Sequence, residues 1–260
     1  MISHNELEVR MTTKTMTDFC WDILDFIYPQ RCPVCQATLS SGRELMCRNC
    51  MLKFREKKRL LGPCCPSCKR QLPSLSDGCE CEGSDHALEA VFSLGVYGEE
   101  TEALIENFKY KRKRRLGSFL SEVLGETLLE SVKLPRAGFI VPVPLHKRKL
   151  RERGFNQSQA VADQLSEKLG IPVLSDSVIR KRNTRSQTGL SREERQKNVK
   201  GAFRLTGKVD LEGRALLLVD DVLTTGATMS ECARTLKSAG ADKIWGVTLA
   251  VAAGTGLLEL

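Results

Sequence analysis

The stretch Leu216–Met229 reads LLLVDDVLTTGATM. Four apolar residues run straight into two aspartates and then into threonines around one glycine. A short continuous apolar run bounded by turn formers reads as a buried strand. In an open parallel sheet, ligands bind outside the carboxyl ends of the strands. With Leu216–Val219 as the strand, Asp220 and Asp221 fall at that end, and LTTGAT links them to a following helix. Such a loop turns backbone N–H groups and the positive end of a helix dipole toward one point. Thr224, Thr225 and Thr228 add hydroxyl donors, and Gly226 lets the backbone come close. Phosphate is expected in the loop. The two carboxylates just before it suit the vicinal hydroxyls of a ribose and favour a neighbouring Mg²⁺ through water. A ribose 5′-phosphate is the expected ligand. The plainer alternative, a strand–turn–helix with aspartates as caps, explains the DD pair alone but not the threonine-glycine loop attached to it.

The flanking pattern predicts the rest of the sheet. LEAVFSLGVYG reads as a strand ending at Gly98, GFIVPVPL as a short buried strand stopped by prolines, and KIWGVTLAVA as a further strand. Between them lie EETEALIENFKYKRKRRLGSFLSEVLGETLLESV, one helix or two with a break near Gly117, then NQSQAVADQLSEKLG and ATMSECARTLKSAG, each with a glycine stop. Strands alternating with helices predict an α/β fold with a largely parallel sheet.

The chain of 260 residues is long enough for one main domain and a smaller one. No apolar run approaches the roughly 20 residues of a membrane span, and the N-terminus lacks a signal-peptide pattern. A cytoplasmic location is expected. The net charge of +8 is concentrated: KYKRKRR at 109–115, KRKLRER at 147–153, and eight Lys or Arg against two Glu over 180–200. Three such blocks imply an anionic partner, whether phosphate, pyrophosphate or nucleic acid.

Ten of the eleven cysteines precede residue 82. Clustered cysteines in a cytosolic chain argue for metal rather than disulfides. CPVC, CRNC, CPSC and CEC supply eight ligands, enough for two closed, structural zinc sites. The simple pairing is Cys32, Cys35, Cys47 and Cys50 for one, and Cys65, Cys68, Cys79 and Cys81 for the other. An interleaved pairing satisfies the same spacing, and Cys64 competes with Cys65. Ahead of the cysteines, Phe19, Ile23, Phe26 and Ile27 form one helical stripe. The expected organisation is a loose tail over 1–17, a helix and double zinc ribbon over 18–84, and the α/β domain over 85–260.

LLLVDDVLTTGATM resembles the phosphoribosyl-pyrophosphate (PRPP) signature of type I phosphoribosyltransferases. VPVPLHKRKLRERGFNQSQAVA, RNTRSQTGLSREERQKNVKGAF, VYGEETEALIENFKYKRKRRL and the cysteine region, in that family's order, narrow the resemblance to the ComF family of ComFC/GntX-like proteins. It covers nearly all of the chain after about residue 18. The resemblance implies a type I phosphoribosyltransferase-like sheet flanked by helices, preceded by a small double zinc ribbon. It implies that Asp220 and Asp221 hold the ribose hydroxyls. Thr224, Thr225, Gly226, Ala227 and Thr228 would cradle the 5′-phosphate, and Arg148, Arg151 and Arg153 the pyrophosphate. Arg185 and Gln187 would reach the diphosphate from a flap over 182–195, with Asp220, Asp221 and Arg185 as the catalytic set. Mg²⁺ would accompany PRPP. His146, close by, is a candidate donor or a structural residue.

Two functions follow from this sequence. One is phosphoribosyl transfer to an acceptor that the sequence does not name. The other is binding of single-stranded DNA in natural transformation, with PRPP as a regulatory ligand. A competence helicase or recombination protein is then an expected partner. Basic blocks and zinc ribbons favour the second. Sparse aromatics oppose a long stacking surface, leaving Phe108, Tyr110 and Phe155 beside basic residues as its candidates. No Walker motif is present, which excludes an ATP-driven translocase of that type.

Overall fold

The computed structural model describes residues 30–41, 44–57, 61–75, 79–81, 87–109, 114–131, 137–185, 189, 191–207 and 210–252. The expected tail, the stripe Phe19–Ile27, Tyr110 and Gln187 lie outside the described residues. The chain forms two compact units, Met1–Arg55 and Glu56–Leu260.

In the first unit, Arg31 and Thr38 bridge across a turn that holds Cys32 and Cys35. The Cys32 N–H donates to the Ala37 carbonyl at 2.8 Å, and the Gln36 N–H donates to the Cys32 carbonyl at 3.0 Å. Helix α1 (Arg48–Lys57) starts directly after Cys47 and carries Cys50.

The second unit is built on one sheet. In chain order it contains β1 (Leu61–Cys64), β2 (Val91–Ser93), β3 (Val96–Tyr97), α2 (Glu99–Phe108), α3 (Arg114–Ser131), β4 (Phe139–Pro142), α4 (Lys147–Arg153) and α5 (Gln157–Leu169). There follow β5 (Val178–Arg180), α6 (Arg192–Val199), β6 (Phe203–Leu205), β7 (Leu216–Leu223), α7 (Ala227–Lys237) and β8 (Ile244–Ala252). Strand order is β1-β2-β8-β7-β4, and β3 continues β2 along β8. Every pairing in this sheet is parallel except β1 with β2. Strands β5 and β6 form a separate antiparallel pair. This is the expected α/β fold.

Central strands of a parallel sheet are covered on both faces and so read as unbroken apolar runs. Leu216 to Val219 are all fully buried, as are Ile244 and Val247 beside them. β7 extends beyond the expected Val219, because β8 pairs it as far as Leu223 opposite Val251. On its other edge, the β4 pairing ends at Pro142 opposite Val219. The Val143 N–H makes one more bond, to the Val219 carbonyl at 2.8 Å. Pro144 follows and has no N–H to offer. That edge of β7 is therefore released at Asp220.

Gly117 lies inside α3 and does not break the helix. A Cβ there would sit 1.9 Å from the Phe108 ring, so this glycine admits the α2 aromatic into α3. Phe108 packs in turn on Phe155, with ring centroids 5.7 Å apart. α5 ends at Gly170, whose φ of 69° is the left-handed cap its sequence predicts.

Candidate functional site

The carboxyl ends of β3, β4 and β7 open on a cavity of about 480 Å³. Asp220 and Asp221 line it from the released edge of β7. The Asp220 carboxylate Oδ1 accepts from the Ser158 hydroxyl and from the Asp221 N–H, both at 2.9 Å. Asp221 Oδ1 accepts from the Val222 N–H at 2.8 Å. Ser158 stands in the first turn of α5, which Asn156 caps by accepting from the Ser158 N–H. A single cap thus fixes both the helix start and the hydroxyl that orients Asp220. Burial, and then the neighbouring Asp221, push the Asp220 carboxyl up to about 7, against the opposing pull of Ser158 and Arg180.

Cations gather in the same cavity: Lys149 and Arg153 from α4, Arg180 from β5, and Arg185 and Arg195 from the segment that follows. Arg180 is about nine-tenths buried. Its Nη2 donates to the Thr184 hydroxyl, its guanidinium lies 5.5 Å from the Phe203 ring centre, and its buried Nε has no partner. Burial lowers the Lys149 pKa, and Arg180 and Arg153 lower it further. Burial also lowers that of Arg180, which Asp220 partly offsets. Crowded cations with an unpartnered buried donor suit an anion. Gln157 lines the cavity as well; its amide Nε2 is buried and unpartnered.

A different group comes from β3 and α2. Tyr97, Glu102 and Glu106 line the cavity, with Lys109 paired to Glu106. Burial, then Glu102 and Glu106, push the Tyr97 phenol up to about 12, and its hydroxyl is hydrogen-bonded to Glu102.

Of the loop expected to cradle phosphate, Thr224 and Thr228 line the cavity, whereas Thr225, Gly226 and Ala227 do not. Thr225 instead accepts the Ala227 N–H at 3.4 Å. Gly226 caps α7 with φ 81°. The side of Gly226 on which a Cβ would sit is closed by the Pro66 carbonyl oxygen, 2.5 Å from that position.

Among the three arginines expected around pyrophosphate, Arg153 lines the cavity and donates to Gln157 Oε1 at 2.9 Å. Arg148 and Arg151 do not line it: both are exposed on α4, and Arg148 pairs with Glu152. Helical periodicity explains the split. Lys149 and Arg153 are four residues apart and share a face that Arg148 and Arg151 cannot. His146 caps α4, its Nδ1 accepting from the Arg148 N–H at 3.3 Å, and is structural. The expected flap is half helix: Ser191 and Glu194 form a capping box that starts α6. Asn198 on that helix exchanges two hydrogen bonds with the Arg185 backbone, at 3.2 and 3.1 Å. Phe108 and Phe155 are buried and do not form a stacking surface for bases.

Sequence reasoning missed Lys149, Arg180, Arg195, Ser158 and the Tyr97–Glu102–Glu106 group. The S-x-x-E at Ser191–Glu194 was the signal for α6, and the spacing of Lys149 from Arg153 was the signal for the cationic face. Arg180 had none, since its burial depends on the β5–β6 pair.

The cysteines gather in the simple pairing. Cys32, Cys35, Cys47 and Cys50 form one tetrad, and Cys65, Cys68, Cys79 and Cys81 the other, with all Sγ atoms of a tetrad within 4.8 Å of one another. Sγ separations of 3.6 Å (Cys35–Cys47), 3.7 Å (Cys65–Cys81) and 3.6 Å (Cys68–Cys79) are far too long for disulfides. They match the ~3.8 Å edge of a thiolate tetrahedron around zinc, whose Zn–S distance is ~2.3 Å. Both tetrads fit a structural zinc. Cys64 is excluded from the second and buried in the core, where its thiol is pushed up to about 11.

Residues 156–258 match the family described as the phosphoribosyl transferase domain. The protein is thus a phosphoribosyltransferase-fold protein with cysteine tetrads. Over 229 residues it is 31% identical to Competence protein F of Haemophilus influenzae, covering 85% of this chain and 97% of that protein. It is 33% identical over 225 residues to the DNA utilization protein YhgH of Escherichia coli K12, covering 84% and 96%. Competence protein ComFC of Bacillus subtilis is 26% identical over 204 residues, covering 76% and 80%. The chain belongs to this ComF family. Among solved structures, adenine phosphoribosyltransferase from Thermoanaerobacter pseudethanolicus is 13% identical with a TM-score of 0.36, covering 78% of this chain and 99% of that one. Purine phosphoribosyltransferase from Pyrococcus horikoshii is 21% identical with a TM-score of 0.32, covering 52% and 72%. Scores this low leave the fold assignment resting on the family match and the strand order.

Proposed function

We propose that the protein binds Mg-PRPP in the cavity and transfers its phosphoribosyl group to a nitrogenous acceptor. The observation that carries this is the meeting of three chemistries in one cavity: paired carboxylates, loop threonines and crowded cations. In this reading Asp220 and Asp221 hold the ribose hydroxyls, while Thr224 and Thr228 face the 5′-phosphate. Lys149, Arg153, Arg180 and Arg185 take the diphosphate, with Gln187 completing the set from outside the described residues. Mg²⁺ would be held chiefly by the diphosphate, whose charge it would neutralise. Displacement at the anomeric carbon develops positive charge on the ribose and negative charge on the leaving group. The aspartates suit the first and the cations the second.

In this reading the ribose hydroxyls are already held by Asp220 and Asp221, and the phosphates of PRPP avoid the like charge of Glu102 and Glu106. We assign the Tyr97–Glu102–Glu106 wall to an acceptor with N–H donors. The test is pyrophosphate release from Mg-PRPP against a panel of amines and nucleobases. Release that depends on one such acceptor supports the assignment; release with none of them contradicts transfer.

The names of the relatives concern competence and DNA utilization, and one observation favours a DNA role. Arg148 and Arg151 are exposed on a helix with no buried residue and point away from the cavity's duties. Under this second reading, Arg148→Ala/Arg151→Ala leaves PRPP binding intact. It lowers the slope of log affinity for single-stranded DNA against log salt by about 1.4, at roughly 0.7 per phosphate contact. An unchanged slope removes α4 from any DNA interface.

A further inference from the structure

The phosphate loop leans on a cysteine knuckle. Pro66 lies between Cys65 and Cys68, two ligands of the second tetrad. Its carbonyl oxygen fills the space beside Gly226, backbone against backbone with no side chain between them. The knuckle is held from within: the Cys65 N–H donates to the Arg70 carbonyl at 2.9 Å, and the Lys69 N–H to the Cys65 carbonyl at 3.0 Å. Lys69 is left-handed, with φ 69°. Its side chain, 4% exposed, folds back so that the ammonium donates to both the Pro66 and Ser67 carbonyls. A buried lysine spent on two backbone carbonyls serves to hold that turn still.

We propose that Pro66 and Lys69 are positioning residues for the phosphate loop, so that zinc in the second tetrad and a phosphoester in the loop stabilise one another. The identity of the loop's ligand rests on the proposed function; the contact does not. Four sulfurs within 4.8 Å of one another, two pairs of them at 3.6 and 3.7 Å, are gathered most simply by a shared cation. Without zinc they spread, Pro66 moves, and the αL turn at Gly226 loses the surface it rests on. Coupling of this kind is reciprocal: zinc improves phosphoester affinity by the factor by which phosphoester improves zinc retention. The coupling is confined to the loop, because the cations that face diphosphate come from α4, β5 and the segment after it.

The test uses ribose 5-phosphate, which reaches the loop, and inorganic pyrophosphate, which does not. Binding of each is measured by calorimetry on zinc-replete protein and on Cys68→Ser/Cys79→Ser. Cys35→Ser/Cys47→Ser, in the other compact unit, is the control. The expected result is about tenfold weaker ribose 5-phosphate binding in the first variant, with pyrophosphate binding unchanged and the control like wild type. Equal ribose 5-phosphate affinity in a folded second-tetrad variant overturns the coupling. Should that variant not fold, Lys69→Gln keeps all four thiols. It is expected to weaken ribose 5-phosphate and to speed zinc release to a chelating dye, and no change in either overturns the proposal. In wild type, ribose 5-phosphate must slow zinc release from one of the two sites; release of both at an unchanged rate also overturns it. Wild type that binds pyrophosphate but no ribose 5-phosphate overturns the loop as a phosphate site, and the coupling with it.

Discussion

The cavity has two linings of opposite charge, and they differ in how far their own residues satisfy one another. The cationic one, from α4 and β5, crowds Lys149, Arg153 and Arg180 together, and burial and mutual repulsion weaken the hold of Lys149 on its proton. The acidic one, from β3 and α2, is internally satisfied: Lys109 neutralises Glu106, and the Tyr97 hydroxyl is bonded to Glu102. A lining of like charges crowded together suits a ligand of opposite charge. A lining that is already paired is built to exchange hydrogen bonds with a ligand of modest charge. The first suits the diphosphate and the second suits an acceptor.

The largest effect separating the two linings is expected at Arg180. Replacing a buried, charge-bearing donor by an apolar chain of similar length removes hydrogen bonds worth about 1.5–3 kcal/mol each. Arg180→Met is expected to weaken pyrophosphate binding by about 10- to 100-fold, read by calorimetry. Glu102→Gln, on the other lining, is expected to leave PRPP affinity intact and to lower acceptor-dependent turnover about tenfold. If it instead changes the Mg²⁺ requirement and leaves the acceptor KM alone, the acidic lining belongs to the metal.

A smaller effect tests Asp220, which lies between the linings. Its carboxyl titrates near pH 7 in the folded chain, against about 4 when unfolded. The folded state binds this proton more tightly, so its stability declines as pH rises from about 4 through 7 and is flat beyond. Asp220→Asn removes that decline. The variant is expected to unfold at a higher temperature than wild type at pH 8 and to match it near pH 4. An equal gain at both values would mean that Asp220 is ionised throughout.

The half of the site on β7 was legible because strand, carboxylates and loop are consecutive in the sequence. The strand ends itself in apolar residues, and the helix start follows from the glycine. The cysteine knuckles were legible for the same reason, since their spacing is local, but which knuckles share a tetrad emerges only from the fold. What sequence could not supply was set by contacts between distant elements. β7 runs on to Leu223 because β8 pairs with it. Gly117 reads as a breaker until Phe108 is found against it. Gly226 reads as a place where the backbone comes close to a ligand, and nothing local announces that Pro66, 160 residues earlier in the chain, packs against it. Arg148 and Arg153 look alike in a basic block, and only the helical face tells them apart.

The most direct measurement of the central claim is calorimetric titration of Mg-PRPP into zinc-replete protein beside its Asp220→Asn/Asp221→Asn form. Saturable binding by the wild type, lost in the folded double variant, is the predicted result. Absence of wild-type binding, or equal binding by both, would contradict the assignment of this cavity to PRPP.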